Sequence, residues 1–440
     1  MRNYRLLILL LVLALAFVAC NGDDTEIEGI DVDEDVEVDE DAADVVDEDV
    51  TDAELDEEVD VADDEDAATE DEAFVFGMIL VGPQNDRGWS QAHFEGGEYV
   101  EENMPGAEMI VFESLNSADK PEATLEGVVD DMISQGAQLI FTTSDEFEED
   151  TLGAAENHPD VTFINISGDD AWEEGRDFQA PPNLGNMMGR MEDMKAIAGC
   201  AAALATETGQ IGYLGPLINF ETRRLVASSY LGARYCWEEI RGEDPADLEF
   251  DVTWIGFWFN IPGVTLDPTE ETNLFFDTGA DVVISGIDTT EAIDVAGQRA
   301  RQGEQVWAVP YDFEGACESA PEICLGVPYF NWGPSYLETA SEVAAGTWEQ
   351  EWEWLDPYWP DLTDNTQTHV GWIMGPGLTD EWEGTLEQFI EGLASDEIVV
   401  WEGPIVLQSG EVYVPEGEAA SPQEIWYLPE LVEGVEGASE

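Results

Sequence analysis

Lysine is almost missing from this chain: Lys120 and Lys195 are the only two, and Lys plus Arg total 13 against 101 Asp plus Glu. A formal charge of −88 over 440 residues repels phosphate backbones and anionic lipid alike, so nucleic acid and an acidic membrane surface are excluded as partners. Histidine is nearly as scarce. His93, His158 and His369 are scattered and the five cysteines match no zinc spacing, so no metal site is expected. No phosphate-cradling glycine loop, Ser-His-Asp arrangement or paired-carboxylate motif stands out; neither an enzyme nor a cofactor is expected.

Long hydrophobic runs are also lacking, save one. Leu6 to Val18 is apolar, follows Arg2 and Arg5, and ends in small residues before Cys20, the pattern of an export signal rather than of a transmembrane helix. Its end resembles a bacterial lipobox, although Phe17 stands where Leu is usual. The expectation is a leader over 1–20, lipid on Cys20, and a chain anchored to the outer face of a membrane. The following segment, 21–72, has no Lys, Arg or aromatic residue and holds 29 of the acidic residues; it should be an extended tether. The remaining acids are spread through the chain, which fits self-repulsion screened in high salt better than steering of a ligand.

With export, disulfides are permitted. Cys317 and Cys324 bracket a short loop and are the favoured pair; Cys200 and Cys236 lie in two predicted helices that could pack together.

What is abundant is alternation of apolar strands with amphipathic helices. Strands are predicted at 74–81, 108–112, 138–142 and 161–166, with helices at 90–103, 120–135 and 150–157 between them; Ser90 is the expected cap of the first helix. A turn-rich stretch, 168–185, interrupts. A second series follows, with helices at 190–206, 221–241, 268–278 and 289–302 and strands at 210–214, 250–255, 281–285 and 306–309. Two βαβ series of this kind give an α/β fold of two lobes, each a mostly parallel sheet flanked by helices, with a cleft between. The expected organisation is a first lobe over 73–185, a second over 186–330, and 331–440 recrossing the hinge and returning to the first lobe. The tryptophan-rich stretch 348–359 is expected as a surface loop, 380–394 as a helix, and 402–417 as two short strands around a Ser-Gly turn.

Ligands of open parallel sheets sit beyond the carboxyl ends of the strands. There the chain repeatedly places aromatics and carboxylates: Asn85 and Trp89 after the first strand, Phe147 after the third, and Trp258, Asp288 and Asp312 in the second series, with Trp332 where the chain should recross. Aromatic faces with carboxylate acceptors suit a flat heterocycle bearing hydroxyls or amines. Each residue has a plainer reading. Trp89 and Trp258 fit core packing equally well, Asp288 fits a helix cap, Asp312 fits a turn, and His93 fits packing within its helix.

These stretches resemble the basic-membrane-protein family of exported lipoproteins. The similarity runs from about 73 to 417, through Asn85…Gly88-Trp89-Ser90…Ala92-His93, Thr142-Thr143-Ser144…Phe147, Pro182-Asn183…Gly189-Arg190, Ile211-Gly212-Tyr213, Gly279-Ala280-Asp281-Val282, Tyr311-Asp312, Asn331-Trp332-Gly333-Pro334 and Gly403-Pro404-Ile405. The resemblance implies a type I periplasmic-binding-protein fold. It also implies a purine nucleoside or base clamped between lobes by Asn85, Trp89, Phe147, Trp258, Asp288, Asp312 and Trp332, in a monomer serving an ABC permease and ATPase on separate chains. Some members contact ribose through a lysine late in the second lobe; 326–331 has none, which leaves a nucleoside, a free base such as adenine and another small ligand all open. A sensor of the same fold, signalling to a membrane receptor, is the alternative.

Overall fold

The computed structural model describes residues 73–176 and 178–440; the leader, Cys20 and the tether lie outside the described residues. Among the described residues no helix is long and apolar enough to cross a membrane. The first lobe begins with β1 (Phe74–Ile79), α1 (Trp89–Asn103), β2 (Ala107–Phe112), α2 (Leu125–Ser134), β3 (Ala137–Thr142), α3 (Glu148–Asn157), β4 (Thr162–Ile166) and β5 (Leu184–Gly189). The second contains α4 (Met191–Ala205), β6 (Gln210–Gly215), α5 (Phe220–Tyr235), β7 (Glu249–Trp254), α6 (Pro268–Thr278), β8 (Val282–Ser285), α7 (Glu291–Arg301), β9 (Trp307–Val309) and β10 (Gly326–Phe330). Then follow α8 (Gly333–Ala345), β11 (Trp352–Leu355), β12 (Val370–Met374), α9 (Asp380–Ala394), β13 (Ile405–Val406), β14 (Val412–Val414), α10 (Pro422–Trp426) and β15 (Val435–Glu436).

The first sheet has the order β11-β5-β4-β3-β1-β2 and the second β15-β7-β6-β8-β9, with every pairing parallel. Strands covered by helices on both faces are apolar throughout, which is why β1, β3 and β8 read as unbroken hydrophobic runs. Phe76, Phe141 and Phe163 on the first sheet and Tyr213 and Phe250 on the second are fully buried and share one continuous core. In each sheet the connection reverses direction beside the first strand of the series, between β1 and β3 and between β6 and β8. Those reversals open crevices at the strands' carboxyl ends. The chain therefore has the type I periplasmic-binding-protein fold.

Several elements depart from expectation. Ser90 does not cap α1: its hydroxyl accepts from Gly82 N (3.0 Å), while Asp86 accepts from the backbone N–H of Gly88, Ser90 and Gln91 at 2.9–3.0 Å. A carboxylate one turn upstream reaches more orphan amides than a hydroxyl inside the first turn. The segment expected as a surface loop contains β11, an edge strand on β5. There Trp352 stacks on Trp172 with centroids 4.0 Å apart, and Trp426 packs edge-on against Trp352 and Trp354. It is β11 that rejoins the first sheet. The 402–417 hairpin forms as β13 and β14, but Leu407, in the turn between them, bridges Val432, β15 adds to β7, and the Trp401 indole donates to Ser228 on α5.

The lobes are joined at Arg190, at Asn331–Trp332, and between Leu355 and Val370. Arg190 N donates to Leu355 O and its guanidinium meets Asp356 at 2.6 Å; Asn331 N donates to His369 O and its amide to Thr368 O. Adjacent crossings are thus tied backbone to backbone, a construction that bends without fraying.

Disulfides join Cys200 to Cys236 and Cys317 to Cys324, 36 and 7 residues apart. The first ties α4 to the turn after α5 where those helices press together: a Cβ on Gly199 would fall 1.8 Å from Ser229 O. By loop entropy the longer loop is worth about 4 kcal/mol and the shorter about 2. Paired Cys→Ala variants should therefore lose more stability at 200/236 than at 317/324, read as denaturant midpoints at constant slope; the reverse order would show that loop constraint is not what the bridges supply.

Candidate functional site

Between the two sheets lies a cleft with about 280 Å³ of empty space, its opening to solvent included, lined by Val81, Trp89, Ser144, Asp145, Ser167, Glu221, Trp258, Asp288, Tyr311 and Asp312. Almost every member follows a strand. Trp89 opens α1 after β1, Ser144 and Asp145 follow β3, and Ser167 follows β4. In the second lobe Glu221 opens α5 after β6, Trp258 follows β7, Asp288 follows β8, and Tyr311-Asp312 follow β9. Two crevices facing one another make one chamber.

Four of the seven sequence-nominated residues meet there: Trp89, Trp258, Asp288 and Asp312. The other three lie elsewhere. Asn85 is exposed on the turn before α1. Phe147 is buried and lines a separate surface hollow with Leu115, Glu146 and Phe257. Trp332 is 1 % exposed and sits inside the hinge, parallel to Phe330 (5.0 Å) and His93 (4.4 Å). His93 bonds Tyr336 Oη at 2.6 Å, a packing role. Trp89 belongs to both regions: its ring meets Phe330 and Trp332 edge-on while its indole donates to Thr143 O at 2.7 Å.

Sequence reasoning left out Asp145, Glu221, Ser144, Ser167 and Tyr311. Asp145 and Tyr311 lay inside strand-end clusters already singled out. Glu221 carried a weaker signal, an acid in the first turn of a helix after a strand, indistinguishable from ordinary helix-end charge.

Contacts across the cleft hold the lobes shut. Asn219, the cap of α5, donates to Asp145 at 2.7 Å, and Ser167 donates to Glu221. Arg87 donates to Ser319 at 3.2 Å and faces Glu318 at 3.7 Å, on the loop closed by the Cys317–Cys324 bridge. Gly88 lies directly against the Asp288 carbonyl. Among the described residues, three of the five non-glycine residues with left-handed backbone, Arg87 (φ 62°), Ser167 (φ 74°) and Asp312 (φ 70°), lie in these segments or on the chamber wall, and such conformations persist where the surroundings fix them.

Electrostatically the chamber is starved of cations. Burial pushes the carboxyl of Asp145 up to about 6 and that of Glu221 to about 7, opposed by the Asn219 hydrogen bond and the Arg224 charge respectively. Asp288 and Asp312 are raised further by burial, with mutual repulsion adding for Asp288. Neither Asp312 oxygen meets a hydrogen-bond partner in good geometry, nor does the Trp258 indole N–H. The nearest ammonium, Lys195, is itself spoken for: Nζ donates to Ser285 O at 2.7 Å and lies 3.2 Å from the Tyr311 ring centre, and burial lowers its pKa well below the usual range.

A raised carboxyl pKa has a definite consequence. Glu221 holds its proton in the folded chain to about pH 7 but releases it near 4.5 when unfolded, so its contribution is fully favourable below that lower value and is lost as pH rises through 7. Ser167, Arg224, Asp145, Glu192, Asp312 and Lys195 act on this group. Glu221→Gln should match the parent in stability near pH 4.5 and exceed it at pH 8 by about 2–3 kcal/mol, seen as a melting-temperature gap that opens with pH. A gap independent of pH would contradict this.

The comparisons agree with the architecture. A family model described as ABC transporter substrate-binding protein, PnrA-like, matches residues 73–354. A purine-binding protein of Brucella abortus is 26 % identical over 380 residues, covering 84 % of this chain and 95 % of that one. A putative ABC transporter glucose-binding protein of Haloferax volcanii is 26 % identical over 369 residues, covering 84 % and 82 %. Among solved structures, an ABC transporter solute-binding protein of Aeropyrum pernix superposes with a TM-score of 0.59 at 13 % identity, covering 76 % and 93 %. With most of the folded chain matched and the interlobe chamber in place, the protein belongs to the Bmp family of PnrA-like ABC transporter substrate-binding proteins.

Proposed function

We propose that this chain captures a purine nucleoside or purine base between its lobes and delivers it to an ABC importer whose permease and ATPase are separate chains. The observation that carries the reading is the convergence of two indoles, Trp89 and Trp258, with the unpartnered carboxylate of Asp312 on one enclosed chamber. The indoles supply faces for a flat ring; Asp288 and Asp312 accept from ring amines or hydroxyls. Closure removes water from these contacts and strengthens each of them. The protein acts by binding and not by turnover, as a monomer held outside the cell by lipid on Cys20, in a salt-rich habitat that accounts for its charge. Asn85, Phe147 and Trp332 then serve the mouth and hinge rather than the ligand.

Support comes from the purine-binding relative, while the relative described as glucose-binding marks the main competitor. Calorimetry of the full chain in molar salt against purine nucleosides, free bases and sugars tests the reading. Saturable one-to-one binding of a purine is expected; binding of sugars alone would defeat it.

A further inference from the structure

The chamber's polar lining is unusual in kind. Carboxyls come from both lobes, Asp145 from the first and Glu221, Asp288 and Asp312 from the second, and no Lys, Arg, Asn or Gln side chain lines it. Asp145 and Glu221 are bridged to the opposite lobe by Asn219 and Ser167. Asp312 makes no bond across the cleft: it is 0 % exposed and borders the empty space, neither oxygen has a hydrogen-bond partner in good geometry, and the Lys195 charge and the Tyr311 side chain offset its burial only in part. A carboxyl in that condition keeps its proton until a donor or a positive charge arrives to meet the ionised form. The remaining walls are aromatic, Trp89, Trp258 and Tyr311, and electron-rich faces attract cations most strongly where water is excluded.

We propose that this cleft selects a ligand bearing a formal positive charge, a compact organic cation such as a quaternary ammonium or a ring-charged heterocycle, held by aromatic faces and by the Asp312 carboxylate. The inference rests on the solute-binding reading of this cavity but not on the purine assignment. It goes beyond shape, since a neutral ring of the same outline would satisfy the walls but bring no charge against which the Asp312 carboxyl, held protonated by burial, could ionise. It also excludes nucleotides, sugar phosphates and carboxylate solutes, which would bring further negative charge into the same space. The even spread of acid over the surface is a separate matter, because surface charge is screened in salt and this chamber is not.

Matched pairs that differ in charge and little else test it. Choline is compared with 3,3-dimethylbutan-1-ol, and 1-methyladenosine with adenosine, by calorimetry on the full chain in molar NaCl. In any pair that binds, the cation should be tighter by roughly 30-fold or more. Asp312→Asn, which keeps shape and tolerates the left-handed backbone, should erase most of that preference; Asp288→Asn serves as a second variant should the first fold poorly. Equal or tighter binding of a neutral twin, or binding of neither cation, overturns the proposal. Adenosine binding without 1-methyladenosine would sink the charge requirement and leave the purine reading standing. Choline binding without either purine would do the opposite.

Discussion

Gly88→Ala is expected to abolish tight ligand capture while leaving the unliganded chain as stable as the parent. A Cβ at position 88 would lie 1.7 Å from the carbonyl oxygen of Asp288, far inside any permitted contact. That oxygen belongs to backbone of the other lobe, so no rotamer change relieves the overlap. Opening of the hinge would part the two segments and relieve the overlap. The substitution therefore acts on the closed state alone. Overpacking of this kind costs about 1–3 kcal/mol or more, which converts to a loss of roughly 10- to 100-fold in affinity. Calorimetry with the best ligand of the parent, together with thermal unfolding, reads both halves of the claim. Parent-like affinity would show that capture does not need this closure. Equal loss of stability and affinity would place Gly88 in the fold rather than in the hinge motion.

Trp258→Ala is the second large effect. Trp258 is 8 % exposed, its indole N–H has no partner, and its side chain forms the second-lobe wall of the chamber. Truncation removes a stacking face and the apolar area that a ring would cover, about 2–4 kcal/mol together, or roughly 30- to 1000-fold in Kd. Trp258→Phe should recover much of it. Trp89 is the less clean counterpart, because its indole is committed to Thr143 O and its ring to Phe330, Trp332 and His93. Trp89→Ala should cost about 3–5 kcal/mol of fold stability besides affinity. If Trp258→Ala bound unchanged, the pairing of indoles across the cleft would have to be given up.

How much of this was legible follows from what each segment says locally. β1 and β8 are nearly continuous apolar runs, and β3 and β6 are apolar past a leading glutamine, so all four announce themselves. β5, Leu184-Gly185-Asn186-Met187-Met188-Gly189, carries two glycines and no β-branched residue, so its local preference is for a turn; tertiary pairing to β4 and β11 makes it a strand. β10 hides behind Pro328: one edge pairs with β12, and the other meets the segment after β9 only through an isolated bridge of Tyr329 to Asp312, where the Pro328 carbonyl takes Asp312 N and Phe330 N donates to Asp312 O. In β11 the alternation Trp352-Glu353-Trp354 is a period of two, short enough to be lost in a tryptophan-rich stretch.

The chamber divides in the same way. Trp89, Trp258, Asp288 and Asp312 stand directly after strands, where topology alone predicts a ligand. Phe147 satisfies the same rule and points elsewhere, because the turn Asp145–Phe147 puts its first residue, not its last, into the cleft. Trp332 stands where the chain passes from β10 to α8, and its ring is stacked on those of His93 and Phe330. Asp86 sits beside Asn85, and the acid, not the amide, organises α1. Glu221 and Ser167 become visible only when the two lobes are brought face to face, which no single stretch of sequence encodes.

Diffraction from crystals of the full chain grown with the purine that binds most tightly in the calorimetric panel tests the central claim most directly. The account predicts ligand density inside the chamber, its ring between Trp89 and Trp258 and a donor or charged atom within hydrogen-bond reach of Asp312. A chamber empty of ligand, with density at another surface, would contradict it.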